Sequence, residues 1–260
     1  MAQYPMPKEH SGHRRRKSRP PSASFAVVSD IHLAHPADAD QKEYADNFRR
    51  CIREINRSGV RLTLVPGDIT EHGAPEEFAR FLSLVRRLRR TVRWVPGNHD
   101  VGDKRVAGKP RPSAKRLALY ERMLGPSFYA EDVGGIRLVA VNSTLLGSGM
   151  KKEKAQWRMI KREARRRSAL PKVLLLHYPL FVDSPDEPGG TYWAVEPKPR
   201  RRLLNALKKG RFAMVISGHL HHEMSNKWGR IWMLGALSTA FPVPTESEAI
   251  GWTLVHAIAR

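Results

Sequence analysis

Short apolar runs rich in β-branched residues alternate with amphipathic stretches from Phe25 onward. FAVVSD (25–30) reads as a first strand, and residues 41–57 place Phe48, Ile52 and Ile55 on one helical face. RLTLVPGD (61–68) predicts a second strand. The helix predicted over 75–90 opens on Pro75, Glu76 and Glu77, which suit a helix N-terminus, and turns Phe78, Phe81, Leu82, Val85 and Leu88 inward. VRWVPG (92–97) is a third strand. A loop rich in Gly, Pro and Lys (101–113) leads to a short helix at 114–124. FYAEDV and IRLVAVNS flank Gly134 and Gly135 as the arms of a hairpin. A helix over 151–168 carries Trp157 and Ile160 as inward anchors, and KVLLLH (172–177) reads as a buried strand. A long loop (179–199), a helix (200–209), FAMVIS (212–217) and short strands at 224–228, 231–235 and 252–258 complete the chain. Strands alternating with helices predict an α/β layered fold. No repeat or linker divides residues 25–260, which read as one domain.

Residues 1–24 are rich in Pro, Ser, His and Arg without apolar periodicity, the composition of a disordered basic arm. The 260-residue chain holds 46 Lys plus Arg against 25 Asp plus Glu, a formal charge of +21. The arm carries +5 of this, so the body is basic in its own right. Such a surface either attracts polyanions (nucleic acid or an anionic membrane) or simply keeps the protein solvated. The single cysteine, Cys51, excludes an internal disulfide and Cys-rich zinc modules. No apolar run approaches the roughly 18 residues that span a bilayer, and the N-terminus lacks an apolar signal core. A soluble, cytoplasmic protein is the expectation; oligomeric state is not legible.

Polar residues gather where the strands are predicted to end. Asp30 and His32 follow the first, Asp68 the second, and Asn98, His99 and Asp100 the third; His177 ends the LLLH strand, and His219 and His221 follow FAMVIS. In α/β sheets ligands bind at the carboxyl ends of strands. A carboxylate such as Asp68 can bridge two cations, the Asn98 amide oxygen is a neutral donor, and imidazoles suit borderline divalent ions. Two ions about 3.5–4 Å apart can hold a hydroxide and clamp a phosphoryl group during in-line attack.

D-x-H, G-D, G-N-H-D, H and G-H-x-H occur in that order, each after an apolar β-run, and the chain resembles the calcineurin-like metallophosphoesterases from Phe25 to about His256. The resemblance implies a four-layer α/β/β/α sandwich with two metals at one edge. Asp30, His32, Asp68 and His221 would hold the first metal; Asp68, Asn98, His177 and His219 the second, with Asp68 bridging. His99 matches the family histidine that protonates the leaving oxygen, and Glu71 or Asp100 would orient it. The ions would be Mn, Fe, Zn, Co or Ni, with Mn favoured.

GDITEHGAPEEF resembles the version of the motif found in cyclic-nucleotide-type and small-substrate phosphodiesterases. The Ser/Thr protein phosphatase version carries a phosphate-binding Arg where His72 stands here. Hydrolysis of a small phosphodiester or phosphomonoester is therefore the leading expectation. A nucleic-acid or lipid-headgroup phosphohydrolase recruited by the basic surface is the alternative, with a non-catalytic scaffold the third. His222 reads as a residue beside the ligands or exposed to solvent rather than a further ligand, and His35 and Asp38 as solvated loop residues rather than substrate contacts. Tyr192 and Trp193 either wall a substrate pocket or pack the long loop down.

Overall fold

The computed structural model describes residues 22–35, 37, 42–243 and 249–258. Residues 1–21 of the expected arm, and Asp38, lie outside the described residues. The first strand, β1 (Ser22–Val27), starts three residues earlier than its apolar run suggests. Ser22, Ala23 and Ser24 pair with Ile258, Ala257 and His256 of the last strand, and the Ser24 hydroxyl lies 2.7 Å from His256 Nδ1. The strand expected to begin at Phe25 thus begins at Ser22. Small polar residues hid it, because an edge pairing needs only backbone groups.

In chain order there follow α1 (Lys42–Ser58), β2 (Leu62–Val65), α2 (Pro75–Val85), β3 (Thr91–Trp94), α3 (Asn98–Val101) and α4 (Ala114–Leu124). The second half contains β4 (Tyr129–Val133), β5 (Ile136–Ala140), α5 (Lys151–Arg165), β6 (Lys172–Leu175), α6 (Pro197–Gly210), β7 (Met214–Ser217), β8 (Met224–Trp228), β9 (Ile231–Gly235) and β10 (Thr253–Ile258). One sheet has the order β10-β1-β2-β3, parallel except for β10. The other has the order β4-β5-β6-β7-β9-β8, with parallel central strands and an antiparallel hairpin at each edge. Gly134 and Gly135 turn the β4–β5 hairpin with φ of 54° and 83°, the left-handed pair a two-residue turn requires.

Three apolar layers hold the sheets and helices together. Phe25, Val27, Leu62 and Leu64 of the first sheet meet Leu138, Val173, Leu175 and Ile216 of the second. α1, α2 and α4 cover the outer face of the first sheet through Phe48, Ile52, Phe78, Phe81 and Leu117. α5 and α6 cover the second through Trp157, Ile160, Leu203 and Leu207. The arrangement is a four-layer α/β/β/α sandwich. Each fully buried aliphatic or aromatic side chain contributes about 1.5–3 kcal/mol.

Element ends differ from the sequence pattern for local reasons. α2 stops at Val85 instead of 90 because Arg87 and Leu88 bond back to Leu84 and Val85, tightening the last turn. α6 begins at Pro197, whose fixed φ suits the first helical position. α5 ends at Arg165, where Arg166 turns extended with ψ of 130°. Lys172 Nζ takes up the Glu163 carbonyl at 2.8 Å and also the Arg166 carbonyl, tying this helix end to the sheet.

One ion pair is buried in that layer. Arg137 on β5 donates from Nε and Nη2 to both Glu163 oxygens at 2.9 and 2.8 Å. Although burial alone would raise it, the Arg137 hydrogen bonds and charge hold the Glu163 pKa below the usual 4.5. The stabilisation is therefore complete above pH 4.5 and lost as pH falls through the lower folded value. Glu163→Ala should cost on the order of 3 kcal/mol at pH 7, because Arg137 is left with only half-exposed Asp132. Urea unfolding should show the gap between wild type and variant narrowing below pH 4.5; a constant gap would deny the pair its charge contribution. Among the described residues, no helix is long and apolar enough to cross a membrane.

Candidate metal centre

The strands stop two to four residues before the first candidate ligand of each motif, so these side chains stand on the turns that follow. Those turns are strained in one consistent way. Asp30, His32, Asp68, His219 and His221 all have positive φ, between 45° and 74°. Among the described residues, Arg211 at the end of α6 is the other non-glycine residue of this kind. Left-handed backbone costs such residues about 1–2 kcal/mol each and persists only where the surroundings enforce it. Here main-chain bonds enforce it: Ile31 and His32 N–H donate to the Asp68 carbonyl at 2.8 and 3.0 Å. His219 N–H donates to Asp30 Oδ1 at 3.0 Å.

Two glycines let these turns approach. A Cβ on Gly97 would lie 2.1 Å from Asp68 Oδ1, and one on Gly218 would lie 2.0 Å from Ser29 Oγ. No side chain fits at either place. The Gly-x motifs are thus a packing requirement of the centre.

Two groups of side chains are made of expected ligands, and His32, Glu71 and His99 form a third. Asp30, His32 and His221 offer ligand atoms within 4.8 Å of one another, and so do Asp68, His177 and His219. Asn98 Oδ1 joins the second group, 2.8 Å from His177 Nε2. Asp68 Oδ2 faces both groups, 3.2 Å from His177 Nε2 and 3.8 Å from His32 Nε2. All seven residues expected as ligands are brought together, and all are buried.

The hydrogen bonds around them fix which nitrogens are bare. His32 Nδ1 donates to Glu71 Oε2, His221 Nδ1 to the Phe241 carbonyl, His177 Nδ1 to the Pro66 carbonyl and His219 Nε2 to the Tyr192 carbonyl, all at 2.8–3.1 Å. Each neutral ring has one N–H, and these four are spent outward. The remaining nitrogens face each other: His32 and His221 Nε2 at 3.2 Å, His219 Nδ1 and His177 Nε2 at 3.1 Å. Lone pairs so close repel unless positive charge lies between them. A proton serves two such acceptors; a divalent cation serves four, and this donor set of imidazoles, carboxylates and one amide suits such an ion.

The titration behaviour has the same origin. Burial lowers the His177 pKa, but Asp68 and Asp30 outweigh it and push it up to about 9, so that at neutral pH a proton on Nε2 takes the place between the acceptors that a cation would take. Burial also opposes protonation of His32, yet Glu71, Asp68 and Asp30 raise it. His219 and His221 are held below the ordinary value, first by burial and then by neighbouring histidines. Asp68 stays well below the usual carboxylate range despite burial, because His177, His99 and His32 surround it.

His99 differs from the seven in being 31% exposed on its side chain. Its Nδ1 lies 2.8 Å from the Glu71 carbonyl and 3.5 Å from Glu71 Oε1, and its ring stands edge-on to His32. Glu71 therefore holds both His32 and His99. Asp100, the other residue expected to orient His99, spends its carboxylate elsewhere. Its carboxylate accepts from Gly97, Ile69 and Thr70 N–H and from the Thr70 hydroxyl at 2.7–3.2 Å, locking the second and third motif turns together. Burial and the Asp68 charge raise its pKa to about 6, against the donors of Gly97 and Thr70.

Several participants carried no sequence signal. The carbonyls of Pro66, Tyr192 and Phe241 belong to residues whose type is irrelevant to the bond. Tyr192 also accepts from Asn98 Nδ2 at 3.1 Å, which aims Oδ1 at His177. Ser29 donates to Asp30 Oδ2 at 2.5 Å. Tyr192 thus packs against the centre, while Trp193 is 46% exposed. Trp193 lines a cleft of about 430 Å³ with Val182, Leu220, His222 and Val243. His222 lies in this cleft with its Nδ1 on the Leu220 carbonyl, and His35 sits exposed in its loop.

Sandwich, strand-end turns and paired imidazole clusters together define a class. Residues 23–223 match the calcineurin-like phosphoesterase family, and the chain belongs to it. Among curated relatives, the serine/threonine-protein phosphatase CPPED1 of Homo sapiens is 25% identical over 84% of this chain and 59% of its own length. The probable glycerophosphodiester phosphodiesterase GpdQ of Arcobacter nitrofigilis is 25% identical over 84% of this chain and 79% of its own. The chain thus spans about three fifths of the human relative. In fold it is similar to a dimetal phosphatase from Danio rerio, with a TM-score of 0.60, 12% identity and coverage of 91% and 96% of the two chains.

Proposed function

We propose that the chain is a dinuclear-metal-dependent phosphoesterase acting on a small phosphodiester. One observation carries the reading: four buried histidines give their ring protons outward and leave bare nitrogens paired at 3.1–3.2 Å beside a shared carboxylate. Asp30, His32, Asp68 and His221 would hold one ion, and Asp68, Asn98, His177 and His219 the other. When bound, the ions, manganese being favoured, supply Lewis-acid neutralisation of the phosphoryl oxygens and activate water. His99 keeps Nδ1 on the Glu71 carbonyl and gives a proton from Nε2 to the leaving oxygen. Its partial exposure suits contact with substrate.

The preference for a small diester rests on the motif style around Asp68 and on the likeness to a relative named as a phosphodiesterase. His72, exposed where protein phosphatases carry Arg, supports the same reading. The organic part of the ester would lie in the cleft against Trp193. Trp193→Ala should raise KM for an aryl phosphodiester about ten-fold, the loss of about 1.4 kcal/mol of apolar contact, with little change in kcat. A change confined to kcat would place Trp193 elsewhere in the cycle.

The test combines metal analysis with hydrolysis in added Mn²⁺ of bis-aryl phosphate, aryl phosphate and a phosphoserine peptide. About two ions per chain with the diester turned over fastest is the expected result. Fewer than one ion and no turnover would leave a scaffold; a faster phosphopeptide would make the chain a protein phosphatase.

A further inference from the structure

We propose that the outer face formed by α5 and α6 binds single-stranded nucleic acid through its phosphate backbone. These two helices hold 13 Lys and Arg against two Glu, a net +11 of the chain's +21. Neither acid is free to neutralise that face. Glu163 is buried on Arg137, and Glu153 accepts from Gly147 N–H, Gly149 N–H and Trp157 Nε1. Of the outward cations, Lys152 pairs with Glu121 and Arg162 lies 3.6 Å from Glu163. Arg200 is buried against Glu187 at 3.5 Å and does not belong to this face. Among the described residues, the other ten Lys and Arg of these helices are exposed and have no carboxylate within 4.0 Å. Like charge at this density repels itself and favours any polyanion that releases its own counterions on binding.

The shape of the face selects the polyanion. A groove of about 250 Å³ runs between the helices, with Lys161 and Arg165 on the α5 side and Arg202 and Lys209 on the α6 side. Its floor is apolar, and Arg202 lies 3.8 Å above the ring of Trp157, which is only 5% exposed. A flexible phosphodiester strand can enter such a groove, whereas a duplex or a flat bilayer touches only its rims. The large apolar side chains exposed among the described residues, Trp193, Trp232 and Leu254, belong to other elements. This face therefore presents nothing to insert below lipid headgroups. With Trp157 capped, no base can stack there, so recognition is sequence-independent and strongly salt-dependent.

Fluorescence anisotropy with a labelled 20-nucleotide single-stranded DNA in 50–200 mM KCl (roughly the range over which counterion release is read) tests this. The variant Lys161→Glu/Arg165→Glu/Lys209→Glu should bind at least ten-fold more weakly. Its slope of log K against log salt should be shallower by about 2, three phosphate contacts at roughly 0.7 each. The neutral variant Lys161→Gln/Arg165→Gln/Lys209→Gln should show a smaller loss in the same direction. Melting temperature and aryl phosphodiester turnover should match wild type in both, since these side chains are exposed and outside the candidate centre. Wild-type affinity for DNA in the variants would overturn the proposal. So would wild-type binding to phosphatidylserine vesicles without binding to the oligonucleotide, which would make the partner a membrane. Both readouts stand even if the chain proves to have no phosphoesterase activity.

Discussion

Asp68→Asn should abolish phosphoesterase turnover and leave at most one metal ion per chain, while the protein stays folded. Asp68 Oδ2 is the carboxylate oxygen that faces both imidazole groups, at 3.2 Å from His177 and 3.8 Å from His32. Its other oxygen accepts from His99 N–H at 2.9 Å. Asparagine keeps the shape, can still accept that bond, and tolerates the φ of 45° at this position. It removes the negative charge and puts an NH2 group, which cannot ligate a cation, where Oδ2 faces both imidazole groups. Asp68→Ala should lose the same activity and also some stability, because alanine fits left-handed backbone poorly and cannot accept from His99. Metal analysis, thermal melting and diester hydrolysis on both variants check this. Two ions in Asp68→Asn, or turnover within ten-fold of wild type, would remove Asp68 from the bridging role.

His99→Ala should leave metal content near normal and lower the rate by about 10²–10⁴, the usual loss of a general acid. The histidine does not share the paired nitrogens of the two groups; it hangs from the Glu71 carbonyl beside them. The loss should shrink as the leaving group becomes more acidic, because a good leaving group departs without a proton. A series of aryl phosphodiesters of falling phenol pKa measures this directly. A uniform loss across the series would assign His99 to orientation or binding, and loss of metal would place it in the centre itself. Glu71→Gln gives a useful contrast. His99 rests mainly on the Glu71 main-chain carbonyl, which the substitution keeps, whereas His32 loses its carboxylate partner. The larger effect should therefore appear in metal affinity.

The candidate centre and the basic α5–α6 face make different demands on the chain. The centre needs five residues in left-handed backbone and two glycines in contact distance of neighbouring motifs, so almost no substitution there is neutral. The helical face needs only positive charge at exposed positions, so Lys and Arg can exchange freely along it. Salt should separate the two experimentally. The buried centre is shielded from bulk ions, while contacts at an exposed face weaken within a Debye length of about 10 Å at 0.1 M.

Much of this protein could be read from residue order alone. Apolar periodicity located the strands and the longer helices, since burial of one face is imposed locally by side-chain spacing. The seven candidate ligands and His99 were legible because turn glycines and strand ends mark where an α/β sheet exposes polar groups. The start of β1 at Ser22 was not legible, because its first residues are held by backbone bonds to Ile258, Ala257 and His256, more than 230 positions away. Nor was the division of labour between Glu71 and Asp100. Both are acids beside a motif, and only the packed turns show that Asp100 braces four donors while Glu71 supports two histidines. The outward donation by His32, His177, His219 and His221 rests largely on carbonyls of Pro66, Tyr192 and Phe241. Every residue carries a carbonyl, so composition cannot point to these three. Tertiary structure alone decides which backbone oxygen meets which ring, and with it which nitrogens are left to face each other.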